Sequence, residues 1–424
     1  PMDESGANLD YRAIDSFYDY PRVQGLAEMM NSYGVIHNDP EVVSKIVASQ
    51  AHHKKIDGHA PGLQGKDLDT YVAAGVYSDH ECATMEDALA KLQRGQFIMI
   101  REGTAARNLE ALAPLLTPQY AERCMFCTDD KHPSDLLEKG HIDYIAREAI
   151  NKYGVDPIIA VKAACHHASR YFLLNNRGAI APGYLADFAV IDNFKDFNVE
   201  MVFKKGILYW NNGELRDFEA PKIEEYLDKR AHDTFHVSTL TPDDFRDTRQ
   251  RGVLGMVPGE IITTDNGYAD HVDLEKDILK IAVVERHKGT HHIGLGYIQG
   301  YGLKSGAVAT SISHDSHNII VVGTNSADMA FAANYIVEHH GGIVVVENGE
   351  IRGNVVLEIA GIMSDRPLTE VNDQLEAAKD AAFTLGVSRG IDPFMTLSFM
   401  ALPVIPKLRI TTRGVVDVDT QQYV

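Results

Sequence analysis

The chain has 424 residues, enough for about two to three domains and for a core that needs no covalent staples. Apolar residues make up 45% and charged residues 24%, the balance of an ordinary globular protein rather than a disordered or fibrous one. Lys plus Arg number 40 against 60 Asp plus Glu, and the net charge of -20 repels phosphate backbones, so nucleic acid and anionic membranes are excluded as main partners while a neutral nucleobase is not.

In chain order, strands alternate with helices. VQGLAEMM (23–30) reads as a short apolar strand, and Asp39-Pro40 opens a helix. KIDGHAP (55–61) is a second strand, followed by a helix over GKDLDTYVAAG (65–75). GVYSDHECA (75–83) is a third strand, followed by TMEDALAKLQRG (84–95), a helix capped by Thr84 and stopped by Gly95. QFIMIREGT (96–104) and the helix AARNLEALAPLL make the fourth pair. RCMFCTDD (123–130) is a fifth strand, with a long helical stretch running to about Leu174. This rhythm with short links predicts parallel strands. The strands end in Glu28, His59, His80, Glu102 and Asp129. Ionisable groups at the end of every successive strand predict a (β/α) barrel, whose strand ends share one mouth, over a doubly wound sheet, whose chemistry sits at one switch point. A barrel needs eight units and the chain supplies five, so an incomplete barrel carrying the later strands is expected over 1–176.

Residues 177–215 change to short β runs broken by Gly and Pro and read as a small β module. From 216 to 424 a separate α/β or α+β domain is expected. Its strands include DILKIAVVER, NIIVVG and a GGIVVVENGEI hairpin turning on Asn348-Gly349; its helices are SADMAFAANYIVEHH and TEVNDQLEAAKDAAFTLG.

The four cysteines, Cys82, Cys124, Cys127 and Cys165, form no disulfide framework. With no apolar run long enough for a membrane span and no signal peptide, a cytoplasmic location is expected. The first residue is Pro1 rather than Met, so the chain begins after processing or inside a longer protein.

The strand-end set Glu28, His59, His80 and Asp129 has the donor types that hold zinc, iron or manganese. Such a metal acidifies a water, and Asp129 is placed to take its proton and pass it on. Cys124-Met-Phe-Cys127 is a lone CxxC and reads as core packing rather than a zinc knuckle. The zinc base deaminases use HxE with PCxxC, and neither occurs here. In SHDSHN, His314 and His317 stand three residues apart, either as a second metal site or a loop reaching the barrel mouth, or as local bracing by backbone-bonding side chains. Adjacent His pairs at 52–53, 166–167 and 291–292 point to different faces and do not read as ligand pairs.

The segments DGHAPGLQGKDLDTYVAAGVYSDHEC, FIMIREGTAARNLEAL, FCTDDKHPSDLLEKGHIDY and RGAIAPGYLADFAVID resemble the adenine deaminase family of the amidohydrolase superfamily. GYGLKSGAVATSISHDSHNIIVVG and GIMSDRPLTEV resemble that family's C-terminal domain, so the likeness runs over essentially the whole chain. The resemblance implies that Glu28 is the bridging carboxylate of strand four, His59 and His80 the ligands of strands five and six, and Asp129 the strand-eight metal-site residue and proton shuttle. It implies two divalent metals per site, manganese or iron with zinc as the alternative, and hydrolysis of adenine to hypoxanthine and ammonia, the chemistry of purine salvage and adenine catabolism. Ring N1 needs a proton as C6 becomes tetrahedral, and Glu81 and Glu102 are the expected donors. Arg101 and Asp130, with His314 and His317, are the expected substrate contacts, although Arg101 reads equally as a strand-end ion-pair partner. The His-x-His pair that the superfamily carries on strand one occurs nowhere in this sequence. The first three strands are therefore expected to be absent, and the chain alone is expected to be inactive or badly impaired. A homo-oligomer is expected. The rival readings are another amidohydrolase acting on a cyclic amide and a non-catalytic fragment.

Overall fold

The computed structural model describes residues 3–104, 106–247, 249–257 and 261–424. These fall into two compact units: Leu9–Ala220, and Pro221–Val424 together with the residues up to Asn8.

The first unit is built on a five-stranded sheet: β1 (Gly25–Met29), β2 (Lys55–Gly58), β3 (Ser78–Asp79), β4 (Phe97–Arg101) and β5 (Cys124–Cys127). The order is sequential and every neighbouring pair is parallel. A sequential order has no switch point, so this is a stretch of barrel wall rather than a doubly wound sheet. The C-terminal ends of all five strands therefore lie along one edge.

Local chemistry sets the helices between them. Asp39 caps Pro40–Ala51 by accepting from the Glu41 and Val42 backbone N–H groups at 2.9 and 3.3 Å. Thr84 caps Met85–Leu92 by accepting from Asp87 N–H at 3.2 Å. These bonds satisfy donors that a helix start otherwise leaves orphaned. Gly75 and Gly95 lie at φ +98° and +88°, where the chain turns from a helix toward the next strand.

Three elements differ from the sequence expectation. β3 keeps two residues because the Asp79 carboxylate accepts from Glu81 N–H at 2.7 Å and turns the chain out of the sheet. The helix expected before 116 shrinks to Leu109–Leu112 and a 3-10 turn containing Pro114; Ala105 lies outside the described residues. The long helical stretch to Leu174 divides into Pro133–Glu138, Ile142–Asn151 and a run from Pro157 to Tyr171. Gly140 and Gly154, at positive φ, lie in its two breaks. Within the last run, Lys162–His166 forms a wide π turn. An antiparallel meander follows, β6 (Phe188–Ile191), β7 (Val199–Lys204), β8 (Ile207–Asn211) and β9 (Glu214–Leu215), inside the expected β module.

The second unit carries an eight-stranded sheet. In chain order its strands are β10 (Arg251–Met256), β11 (Thr263–Ala269), β12 (Ile278–Val284), β13 (Ile293–Gln299), β14 (Ala307–Thr310), β15 (Ile319–Gly323), β16 (Gly342–Glu347) and β17 (Glu350–Val356). All pairs are antiparallel except β10 with β13. Its central strands are continuous apolar runs because both faces are buried. Ile281, Val283, Ile320, Val322, Ile343 and Val345 pack with Leu375, Ala378 and Ala382 of the helix Leu368–Thr384. The alternate residues Ala282, Val284, Ile319, Val321, Val344 and Val346 pack with Met329, Ala333 and Ile336 of the helix Ser326–Glu338. Each fully buried Val or Ile stabilises this arrangement by roughly 1.5–3 kcal/mol.

A hairpin of β18 (Leu408–Thr411) and β19 (Gly414–Asp417), with β20 (Gln422–Tyr423) beside it, completes the unit. β13 reads poorly as a strand because Gly294 and Gly296 interrupt it, and packing requires both glycines. A Cβ on Gly296 would meet Val415 at 2.5 Å, and one on Gly294 would collide with the Thr411 carbonyl.

In the first unit, Lys91 is fully buried and lies 3.3 Å from Asp79 and 3.1 Å from Asp87. It also donates to the Ala60 carbonyl at 2.7 Å, tying the ends of β2 and β3 to the helix Met85–Leu92. Removing one partner of a buried ion pair strands the other charge. Lys91→Met is therefore expected to lower unfolding stability by about 3–5 kcal/mol, read by urea titration; an unchanged midpoint would show the pair to be dispensable.

Candidate metal centre and active site

The site forms where the parallel strands end. Glu28 lies near the end of β1, while His59 and His80 each follow directly on β2 and β3. Both imidazoles turn onto one carboxylate oxygen: Glu28 Oε2 lies 3.1 Å from His59 Nδ1 and 2.7 Å from His80 Nε2. The ligand atoms of Glu28, His59 and His80 lie within 4.8 Å of one another, and so do those of His80, Glu81 and Asp129. Two overlapping donor sets thus share His80.

The electrostatics follow from this crowding. Burial works to raise the Glu28 carboxyl pKa, but the His59 and His80 hydrogen bonds overcome it and hold the group down at about 2. Burial works to lower the His80 pKa, but the Asp57 and Glu28 hydrogen bonds and charges push it up to about 11. His59 is raised in the same way, with its Glu28 hydrogen bond outweighing burial. A cation can take the place of such shared protons, because deprotonated imidazoles and a carboxylate are its preferred donors. The donor chemistry therefore fits a divalent metal.

Local contacts aim these side chains. Tyr71, fully buried, donates its hydroxyl to the Met29 carbonyl at 2.6 Å and accepts from His59 N–H at 3.0 Å, fixing the β1 and β2 ends together. Gly58 precedes His59 because a Cβ there would meet the Ser78 carbonyl at 2.5 Å and the Tyr71 hydroxyl at 3.0 Å. Asp79 accepts from Ala60 N–H at 2.8 Å. His80 Nδ1 lies 3.1 Å from Asp57 Oδ2.

Arg101, at the end of β4, is buried and paired with two carboxylates. It donates to both oxygens of Glu81, with Nη2 to Oε2 at 3.1 Å, to Asp129 Oδ2 at 2.7 Å and to Asn108 at 3.3 Å. Its guanidinium thus forms the strand-end ion pairs that were one of the two roles open to it. Glu81, expected as a proton donor, instead gives both oxygens to Arg101. Asp129 sits at φ +54° just beyond β5, with its side chain 40% exposed, the most open of this group. Asp130 follows it, and its carbonyl accepts from Thr104 N–H at 2.9 Å.

Glu102 belongs to neither donor set. Its carboxylate accepts from Leu109 N–H at 3.3 Å at the start of the next helix, and burial raises its pKa. His314 and His317 lie in the second unit. There the His314 ring stacks on Phe399, with ring centroids 4.9 Å apart. His317 Nδ1 accepts from Ser313 N–H at 3.2 Å, and burial holds its imidazole pKa down at about 4. Cys124 is buried in the core of the first unit, and burial pushes the thiol pKa values of Cys124 and Cys127 up.

The sequence reading missed Asp57, Tyr71, Asp79 and Lys91. The available signal was the acidic residue just before each histidine: Asp57 two residues before His59, and Asp79 one residue before His80. Tyr71 and Lys91 carried none, because each sits on a helix at a position that reads as ordinary packing or solvent-facing charge.

Two family descriptions match the chain. The amidohydrolase family matches residues 20–208, which contain the strand-end cluster, and the adenine deaminase C-terminal domain matches residues 260–422. The chain is 44% identical over 431 residues to an adenine deaminase of Desulfatibacillum aliphaticivorans, covering all of this chain and 75% of that protein. It is 43% identical over 437 residues to one from Nitratidesulfovibrio vulgaris (strain DP4), covering all of this chain and 74% of the relative. With one from Dehalococcoides mccartyi (strain ATCC BAA-2266 / KCTC 15142 / 195) it shares 42% identity over 432 residues, 99% of this chain and 74% of the relative. Both family models and relatives matched along the whole chain agree, and the chain belongs to the adenine deaminase family of the amidohydrolases.

Proposed function

We propose that this protein hydrolyses adenine to hypoxanthine and ammonia, with Glu28, His59 and His80 holding a divalent metal at the strand ends. The convergence of both imidazoles on Glu28 Oε2 carries the reading. Iron or manganese is the proposed metal, two ions per site, with Asp129 as a further ligand. When bound, the metal supplies the Lewis acidity that makes water a nucleophile at neutral pH.

The chain's own residues do the rest. Asp129 is the proton carrier: it is the most open carboxylate of the group, and Arg101 fixes one of its oxygens and leaves the other for the attacking water. It takes a proton from that water as the oxygen approaches C6 and delivers it to the departing amino group. Glu81 keeps Arg101 in place and so aims Asp129. The proton for ring N1 falls to Glu102, since both Glu81 oxygens are engaged and burial favours the protonated form of Glu102. Hydrolysis then balances: the water oxygen bonds to C6 as N1 takes the Glu102 proton, the C6–N bond breaks as Asp129 passes the first water proton to the amino group, the C6 hydroxyl becomes the carbonyl and returns its proton to Glu102, and ammonia leaves.

The direct test measures ammonia release from adenine and metal content, on this chain alone and on a version extended at its N-terminus by a His-x-His-bearing segment. The extended protein is expected to hold about two metals and to release ammonia, and the chain alone to do so weakly or not at all. Silence from both would overturn the assignment.

In the extended protein, Asp129→Asn is expected to cut turnover by about 10²–10⁴-fold, the usual worth of a positioned proton-transfer group, while most of the metal stays bound. Turnover at the parent rate would remove its assigned role. Glu102→Gln, assayed the same way, is expected to lower kcat at least tenfold with little change in metal content; unchanged kcat would place the N1 donor elsewhere.

A further inference from the structure

His80 is the ligand common to both donor sets, and it is held from behind by a chain of hydrogen bonds. Its Nδ1 lies 3.1 Å from Asp57 Oδ2, and Asp57 Oδ1 accepts from the Ser78 hydroxyl at 2.6 Å and from Gly58 N–H at 3.0 Å. The Ser78 hydroxyl also lies 2.6 Å from the Tyr171 hydroxyl. Hydrogen-bond accounting fixes the direction of the chain. Ser78 has one proton and spends it on the carboxylate, so the Tyr171 hydroxyl donates to Ser78. An Asp57 carboxylate that faces Nδ1 in turn requires Nδ1–H, so Nε2, which faces Glu28 Oε2 at 2.7 Å, is the nitrogen that would give up its proton and offer its lone pair to a metal.

The burial of this chain sets it apart from an incidental contact. Ser78 is fully buried and Tyr171 nearly so, and Tyr171 packs edge-on against Phe97 of β4 with ring centroids 5.0 Å apart. Tyr171 closes the helical run that begins at Pro157, and the π turn Lys162–His166 lies immediately before its last segment. That segment is also pinned to β5, where His167 Nδ1–H donates to the Cys124 carbonyl at 2.8 Å. A residue 91 positions along the chain from His80 is thus placed rigidly behind it.

We infer that Asp57, supported through Ser78 by Tyr171, is a positioning residue that fixes the tautomer and aim of His80 and so sets how tightly the strand-end cluster holds its metal. This rests on the reading that the cluster is a metal site. A ligand imidazole whose other nitrogen is held by a carboxylate is better oriented and more basic, and losing such a partner typically weakens metal affinity by about 10–100-fold.

The experiment is a cobalt(II) titration of the metal-stripped protein and of three variants, Asp57→Ala, Asp57→Asn and Tyr171→Phe. Both the dissociation constant and the visible absorption of the bound ion are read, and circular dichroism checks each fold. Asp57→Ala is expected to bind cobalt about 10–100-fold more weakly, with altered visible bands. Asp57→Asn, whose amide oxygen still accepts from Nδ1–H, should recover part of the affinity and the parent spectrum. Tyr171→Phe, which leaves every ligand and Asp57 intact, should shift both readouts in the same direction but less. A folded Tyr171→Phe with parent affinity and spectrum would overturn the contribution of Tyr171. Parent behaviour in Asp57→Ala, or an Asp57→Asn no better than Asp57→Ala, would overturn the tautomer-setting role of Asp57. If the parent protein binds no cobalt, the metal reading itself fails and this inference falls with it; that outcome is distinct from parent-like binding in the variants.

Discussion

Two imidazoles share one carboxylate oxygen at the end of the first strand. Glu28 Oε2 is within hydrogen-bond distance of His59 and His80 at once, and the three groups come from three different strands. Such a junction persists only if those strand ends stay in register. The parallel order supplies the coarse alignment. Tyr71, bonded to both Met29 and His59, and Lys91, bonded to Ala60 and paired with Asp79, supply the fine one. Much of the unusual burial in this unit, including a lysine and an aspartate with fully buried side chains, is explained by the need to hold these ends still.

The same edge carries a division of labour among carboxylates. Glu28 faces the imidazoles, Asp57 stands behind one of them, Asp79 braces the backbone, Glu81 holds Arg101, and Asp129 remains the most open. Five acidic groups along one sheet edge would repel one another without compensation. Arg101, Lys91 and the two imidazoles provide it, and a bound divalent cation would add to it. The net charge of -20 therefore does not describe this locality, where four cationic side chains face the five carboxylates.

Residue pattern made the candidate metal-site residues legible but not the side chains that brace them. Glu28, His59, His80 and Asp129 stood out because ionisable groups recur at the ends of successive strands, a pattern with few other physical causes. Asp57 was hidden by its position inside β2, where alternation alone places a side chain on one face without naming its partner. Lys91 reads as a helix-surface charge until the fold buries it. Glu81 and Arg101 were each visible as polar strand-end residues, yet only three-dimensional pairing shows that they occupy each other. In the second unit, β12, β15 and the β16–β17 hairpin were readable from their apolar runs and turn, and β13 was not, because Gly294 and Gly296 answer to a hairpin more than a hundred residues later in the chain.

The account stands on the claim that a cation replaces the shared protons at Glu28. The most direct measurement is anomalous X-ray diffraction from crystals grown with one divalent transition metal, collected on both sides of its absorption edge. The account predicts a peak bonded to a Glu28 oxygen and to one imidazole nitrogen each of His59 and His80, at about 2.0–2.2 Å, with both direct imidazole–Glu28 hydrogen bonds gone. A saturated crystal in which Glu28 still bridges the two imidazoles, with the metal bound elsewhere or absent, would contradict it.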